Sequence, residues 1–338
     1  MRRWLLLCVV LGGCGFHSPA PARDTSDGGS GGGIDGTAPD GTGSGSGSDA
    51  SGVTDCFQHW LNGSVAISAS TIQEVTELSS AGNGNDRDPW ISSDGLRMYL
   101  SRDQGTSNTS DIFFTSRATA SQPFGAPMRD PNLSTSGQDG RVWLTPDELT
   151  VVQSTDSSGT LEIHMITRAS GNPFGTPDGR HLNAVNLAGN QRFDPFVTAD
   201  GLRLYLSANS GAGGKRQLLI ATRSSVDGDF AAPALVPGTD SYAAASANLT
   251  NLADPTLYEG ERLMLFSAFP NGAMAKGDLW YATRSSASAS FDPPIQIPTV
   301  NTGGDEFDPV LSADGCELYF SSTRNGGTFH IFHAQVTR

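Results

Sequence analysis

The sequence predicts an all-β protein, a five-bladed β-propeller of four-stranded antiparallel blades whose ring is closed by an N-terminal strand. One motif, clearest as Phe307-Asp308-Pro309-Val310-Leu311-Ser312-Ala313-Asp314-Gly315-Cys316-Glu317-Leu318-Tyr319-Phe320-Ser321, recurs five times. Its turns fall at residues 94, 147, 200, 259 and 314, spaced by 53, 53, 59 and 55 residues, and a period so long and steady marks a repeat architecture. The composition agrees. Only 17% of the 338 residues are charged and 41 are glycine, a mixture that favours short strands and turns over helices.

The chain opens with Met1-Arg2-Arg3 and an apolar run from Trp4 to Leu11, the charged and hydrophobic regions of a secretory signal. That run is too short to span a bilayer, which takes about 20 apolar residues. Leu11-Gly12-Gly13-Cys14 resembles the lipobox of bacterial lipoproteins. The resemblance implies removal of residues 1–13, lipidation at Cys14 and, because Gly15 rather than Asp follows, an outer-membrane destination. An ordinary signal with a chance cysteine is the alternative. Residues 14–52 are Gly, Ser, Asp, Thr and Pro with almost no apolar content, a tether too polar to offset the entropy of ordering. Residues 53–338 form the single propeller domain.

Of the 21 basic residues, Arg2 and Arg3 leave with the signal, so 19 face 35 acidic ones in the mature chain, a net of −16. Nucleic acid and anionic lipid surfaces both need basic protein surface and are excluded as partners. The membrane is met through the lipid anchor alone.

Four copies begin with Asp-Pro, at Asp88, Asp194, Asp254 and Asp308. The second is degenerate and carries Arg141-Val142-Trp143 instead. In each copy an apolar first strand leads to a tight turn, Asp-Gly or Glu-Gly except for Asp147-Glu148 in the second. Glycine readily supplies the positive φ such turns need. A nearly continuous apolar second strand follows (Leu96–Ser101, Leu149–Ser154, Leu202–Ser207, Arg262–Ser267, Cys316–Ser321), as for strands buried on both faces. The third strand ends in Ser/Thr-Arg at Arg117, Arg168, Arg223, Arg284 and Arg338. Then Phe124-Gly-Ala-Pro127 and its counterparts at Phe174, Phe230 and Phe291 lead into a short fourth strand. Four antiparallel strands in about 55 residues is the anatomy of a propeller blade.

The run Asp-Pro-x-x-Ser-x-Asp-Gly-x-x-Leu-Tyr-Phe-Ser-Ser-x-Arg-x-Gly-Gly at Asp308–Gly327 resembles the WD40-like repeat (PD40) of TolB-like periplasmic proteins, over about residues 60–338. Copies two and four depart from it in detail. The whole plan of lipobox, tether and repeats is similar to lipoproteins of myxobacteria and related Gram-negative bacteria. The resemblance implies a periplasmic or surface-exposed module that binds a protein, small ligand or glycan.

Copy five ends at Thr337-Arg338, where the others close their third strand, so its outer strand must come from Ile67–Leu78. Closure of the ring removes an open end that would expose core. Cys56 at the start of that segment and Cys316 in the second strand of the same blade then form an expected disulfide, in a compartment where disulfides persist. Two free thiols are the alternative.

Asp88, Asp194, Asp254 and Asp308 start the innermost strands and would ring one mouth of the channel. Such a ring could hold calcium, which takes several oxygens. The reading preferred here is structural, with each Asp bonding backbone amides near a strand start, because Arg141 interrupts the ring. No metal or cofactor is assigned. His330 and His333 fall on opposite strand faces. There is no Gly-x-Ser-x-Gly, His-Glu-x-x-His or phosphate loop, and no catalytic residue is assigned. The leading expectation is therefore a non-enzymatic, lipid-anchored binding module. The alternative is a carbohydrate-active enzyme, since five-bladed propellers include glycoside hydrolases. It would use two carboxyls at the channel mouth or unique acids such as Glu74, Glu77, Glu148, Glu162, Asp178 and Asp229.

Overall fold

The computed structural model describes residues 55–79, 84–103, 110–156, 159–187, 191–209, 215–242, 249–270 and 276–337. The signal segment, Cys14, the tether and Arg338 lie outside the described residues. An N-terminal segment carries α1 (Phe57–Leu61), β1 (Ala66–Ile67), β2 (Gln73–Glu74) and α2 (Thr76–Ser79). Blade 1 is β3 (Asp86–Ile91), β4 (Arg97–Asp103), β5 (Ser110–Ser116) and β6 (Met128–Arg129). Blade 2 is β7 (Asp139–Leu144), β8 (Thr150–Thr155) and β9 (Glu162–Thr167), its fourth position held by a single bridge between Met165 and Asp178. Blade 3 is β10 (Arg192–Val197), β11 (Arg203–Asn209), β12 (Arg216–Thr222) and β13 (Ala234–Leu235). Blade 4 is β14 (Leu249–Tyr258), β15 (Leu263–Pro270), β16 (Asp278–Thr283) and β17 (Ile295–Gln296), and blade 5 has β18 (Glu306–Leu311), β19 (Glu317–Ser322) and β20 (His330–Thr337).

Blade 5 is completed from the other end of the chain, as the missing outer strand requires. β1 pairs antiparallel with β20 at Ala66↔Thr337, and β2 pairs with the same strand at Gln73↔His333 and Glu74↔Phe332. The protein is thus an all-β propeller of five blades.

Short polar devices build four of the five hairpins. In blade 1 the Ser92 hydroxyl donates to Asp94 (2.6 Å) and accepts from Arg97 N–H (2.9 Å), while Leu96 N–H donates to Asp94 (3.0 Å). Thr145 with Asp147, Thr198 with Asp200 and Ser312 with Asp314 repeat the pattern. These carboxylates are occupied as Asx turns, which mimic backbone turns.

Four of the recurrent arginines, Arg117, Arg168, Arg223 and Arg284, serve the hairpins of their own blades. Each donates through Nε to the hairpin of its own blade, Arg117 to Gly95 O (2.7 Å), Arg168 to Glu148 O (2.9 Å), Arg223 to Gly201 O (2.7 Å) and Arg284 to Glu261 O (2.7 Å). Each also lies 4.0–4.4 Å over the phenylalanine that follows, Phe124, Phe174, Phe230 or Phe291. A planar guanidinium can satisfy a carbonyl and stack on a ring at once, so the Arg-to-Phe spacing folds the outer strand back over its own blade. Among the described residues, Arg117 and Arg284 alone of the four reach a neighbouring blade as well, at the hydroxyls of Tyr319 and Tyr205.

A disulfide joins Cys56 to Cys316, with Sγ atoms 2.07 Å and Cα atoms 5.0 Å apart. Cys56 sits at the N-cap of α1 rather than at a strand start, and Cys316 in the turn before β19. Around the bond, Trp60 Nε1 donates to Gly315 O (3.0 Å) and Trp60 packs edge-on against Tyr281. Gly315 has φ +69°, and a Cβ there would meet the Phe57 ring at 2.9 Å, so both the turn and the helix above it need glycine.

Candidate functional site at the channel mouth

Asp88, Asp194, Asp254 and Asp308 come together around the axis, but they do not start strands. Each sits inside the innermost strand of its blade at a break in the pairing register, between Arg87 and Trp90, Phe193 and Phe196, Ala253 and Thr256, and Phe307 and Val310. All four have left-handed backbone, φ 54° to 59°. These are β-bulges. The following proline cannot donate to a ladder and marks the site of the bulge, while Asp tolerates left-handed φ better than most side chains. A bulge re-aims its side chain, here toward the axis.

Once there, each carboxylate accepts a backbone N–H from the equivalent position of the next blade. Asp88 N–H donates to Asp308 (3.1 Å), Arg141 N–H to Asp88 (3.1 Å), Asp254 N–H to Asp194 (3.4 Å) and Asp308 N–H to Asp254 (3.4 Å). The amides thus belong to the neighbouring blade rather than to the Asp residue's own strand. Ser101, Ser207 and Ser321, from the second strands, donate to Asp88, Asp194 and Asp308. The relay is open only between blades 2 and 3, where Arg141 stands in place of an Asp.

Arg141 turns inward. Its side chain is 1% exposed, with Nη1 3.7 Å from Asp254 and 3.6 Å from Asp308. Burial works against its charge, and the carboxylates of Asp254, Asp308, Asp88 and Asp194 outweigh that and hold it protonated. The chain itself therefore supplies a countercharge where a calcium ion would otherwise do so. Burial, then the neighbouring Asp254 carboxylate, pushes Asp194 up to about 7. Burial, then Asp88 and Asp254, raises Asp308 well above the usual carboxylate range. One oxygen each of Asp88, Asp194 and Asp254 lies within 4.8 Å of the others. The ring opens on a cavity of about 340 Å³ flanked by Phe193, Phe307 and Phe329. Arg216 stacks 3.9 Å over Phe193 with Nη1 3.6 Å from Asp194, and Arg87 stacks 4.1 Å over Phe329.

The acids outside the repeat pattern are dispersed. Glu148 is gripped by Arg97 (2.6 Å), Asp178 by Arg180 (2.7 Å) and Asp229 by His181 (2.8 Å), and Glu162 stands 3.8 Å from His164. Glu74 and Glu77 share a polar pocket with Glu317 and His333 between blades 5 and 1. Glu74 also lies 3.4 Å from His330. Sequence reasoning missed Glu261. It is buried with φ 67°, pairs with Arg203 Nε (2.7 Å) and accepts from the Tyr205 hydroxyl. Its trace in the sequence is positional, since counted from the bulge Asp it stands where Gly95, Gly201 and Gly315 stand, in the same left-handed backbone.

No family model and no curated protein matches the sequence. Among solved structures, the chain is similar to a thermostable family-43 glycoside hydrolase (TM-score 0.52, 13% identity, 75% of this chain and 93% of that one). It is also similar to the catalytic domain of the Coprinopsis cinerea GH62 α-L-arabinofuranosidase (TM-score 0.51, 13% identity, 75% and 91%). TolB from Acinetobacter baumannii aligns with a TM-score of only 0.40, at 12% identity over 75% of this chain and 55% of that one. At such identities the likeness establishes the five-bladed fold. It also corrects the expectation of a non-enzymatic binding module, which leaned on TolB. Three solved structures similar at TM-scores above 0.5 are glycoside hydrolases, and the non-enzymatic reading gives way to its alternative.

Proposed function

We propose that the protein is a carbohydrate-active enzyme, a glycoside hydrolase working at the Asp-lined mouth of the channel. The observation that carries the reading is the convergence of Asp88, Asp194 and Asp254 oxygens within 4.8 Å beside a cavity of about 340 Å³. Glycosidic cleavage takes one carboxylic acid to protonate the leaving oxygen and one carboxylate as base or nucleophile, and oxygens within 4.8 Å of one another stand nearer the separation of about 5–5.5 Å of retaining enzymes than the wider one of inverting enzymes. Asp194, pushed up to about 7, is suited to hold the proton near neutrality. Asp88, the least buried of the four, is the most accessible to a substrate and takes the second role. The phenylalanines at the rim offer flat faces for a sugar ring.

The chain's resemblance to PD40 repeat lipoproteins supports placing this activity at the cell envelope, anchored through Cys14 on the tether of residues 14–52 and facing a glycan substrate. The fold similarity to an arabinofuranosidase suggests pentose substrates as the first to try.

Hydrolysis of p-nitrophenyl α-L-arabinofuranoside, β-D-xyloside and a panel of plant and bacterial polysaccharides by the purified chain tests the reading. Turnover is expected, with Asp88→Asn and Asp194→Asn each lowering kcat by about 10²-fold or more. No turnover on any substrate would overturn it.

A further inference from the structure

We propose that the opposite, turn-side mouth of the channel is a second site, one that binds a neutral, planar aromatic group. The site does not depend on the hydrolase reading, because it shares no residue with the Asp-lined cavity.

The residue two positions after the bulge occupies the same ladder position in every blade: Trp90, Trp143, Phe196, Thr256 and Val310. A repeat serving packing alone has no reason to differ so much from blade to blade. Here three consecutive blades supply large rings and the next two supply small side chains. The resulting crescent borders a cavity of about 580 Å³, within the range of small-molecule sites. Trp143 and Phe196 meet at 4.5 Å between ring centroids, inclined by 45°. A third flat ring entering from the side of Val310 would meet them face-on or edge-on, the arrangements that aromatic quadrupoles favour.

Hydrogen-bonding groups narrow the class. Trp90 Nε1 is committed to Leu144 O (3.1 Å), whereas Trp143 lines the cavity and its indole N–H has no hydrogen-bond partner among the described residues. One free donor beside apolar walls suits a ligand with a single acceptor. The charges at the rim are already matched within the protein. Arg203 pairs with Glu261 at 2.7 Å and lies 3.9 Å from Asp200, and Arg262 pairs with Glu259 at 3.1 Å. A charged ligand would have to break one of these pairs, and a sugar would leave most of its hydroxyls facing hydrocarbon, at a cost for each.

Isothermal calorimetry with p-cresol as the aromatic probe, cyclohexanol as its aliphatic counterpart and methyl β-D-xylopyranoside as a sugar, all on the full chain, tests the proposal. One-to-one binding of p-cresol, tighter than either comparison compound, is expected. Trp143→Phe keeps a ring and removes the N–H, and should weaken p-cresol by about fivefold, the loss of one neutral hydrogen bond. Val310→Phe fills the open side and should abolish binding, with thermal melting followed in parallel. If Val310→Phe does not fold, Trp143→Phe decides alone. No heat from p-cresol up to its solubility limit, unchanged affinity in Trp143→Phe, or tighter binding of the sugar would each overturn it.

Discussion

The backbone N–H of Asp88 donates to the carboxylate of Asp308 at 3.1 Å, across 220 residues of sequence, so the first blade is tied to the last at the axis as well as at the rim. The same carboxylate accepts from Ser321 and faces Arg141 at 3.6 Å. Asp308→Ala removes the acceptor for two donors and leaves both without a partner. A loss of about 2–4 kcal/mol is expected, roughly 1–3 kcal/mol for each buried donor left unsatisfied. Urea unfolding that moves by less than about 1 kcal/mol would show that the seam is held elsewhere.

Stability should fall as pH rises through neutrality. Asp194 and Asp308 are both raised in the folded chain, Asp194 to about 7, above the value near 3.9 of an unfolded Asp. The folded state therefore keeps protons that the unfolded state has released. The contribution is complete below about pH 4 and is lost as pH climbs toward 7 and beyond. Melting curves between pH 4 and 8 check the sign. Asp194→Asn, which cannot ionise, should flatten the slope up to about pH 7.

Reduction should loosen the N-terminal segment. The Cys56–Cys316 bond closes a loop of 260 residues, and chain entropy puts an upper figure of about 5.5 kcal/mol on such a closure, with about 2–5 kcal/mol typical of native bonds. The Cys56→Ser/Cys316→Ser variant is expected to melt at lower temperature and to be cut by protease first near α1. Equal melting of the oxidised and reduced protein would count against this role.

Arg223→Lys keeps the charge but loses the fork that bonds Gly201 O at 2.7 Å while stacking 4.4 Å over Phe230. About 1–2 kcal/mol should be lost in blade 3, through one hydrogen bond and one cation–π contact. A shift in the urea midpoint without a change in slope is the expected signature.

The blades and their closure are legible in the sequence because they rest on local signals: the Asp-Gly hairpins, the apolar second strands, and a fifth copy short of its outer strand. The candidate site is only half legible. Asp-Pro reads as a strand start, whereas a proline inside a run that otherwise alternates as a strand is the mark of a bulge, and the bulge is what turns Asp88 and its counterparts toward the axis. The inward path of Arg141 depends on carboxylates from blades 4 and 5, more than 100 residues further along the chain, and no local pattern carries that. Likewise α1 exists where Trp60 and Cys56 meet the fifth hairpin, since five residues are too few to form a helix unaided. From the sequence the hydrolase reading stands only as the alternative, because the acids involved are themselves repeat residues.

Joining the two ends in one blade sets a timetable for biogenesis. Ala66 leaves the ribosome 271 residues before Thr337, whose hydroxyl bonds its carbonyl, a delay on the order of tens of seconds at ordinary elongation rates. Throughout that interval β1 and β2 have no partner strand, and blade 1 has no blade 5 beside it. A nascent chain can assemble blades 1 to 4 in order, but the ring is not shut until the final strand arrives. Loss of the last residues of β20 would leave β1 without its partner strand as well.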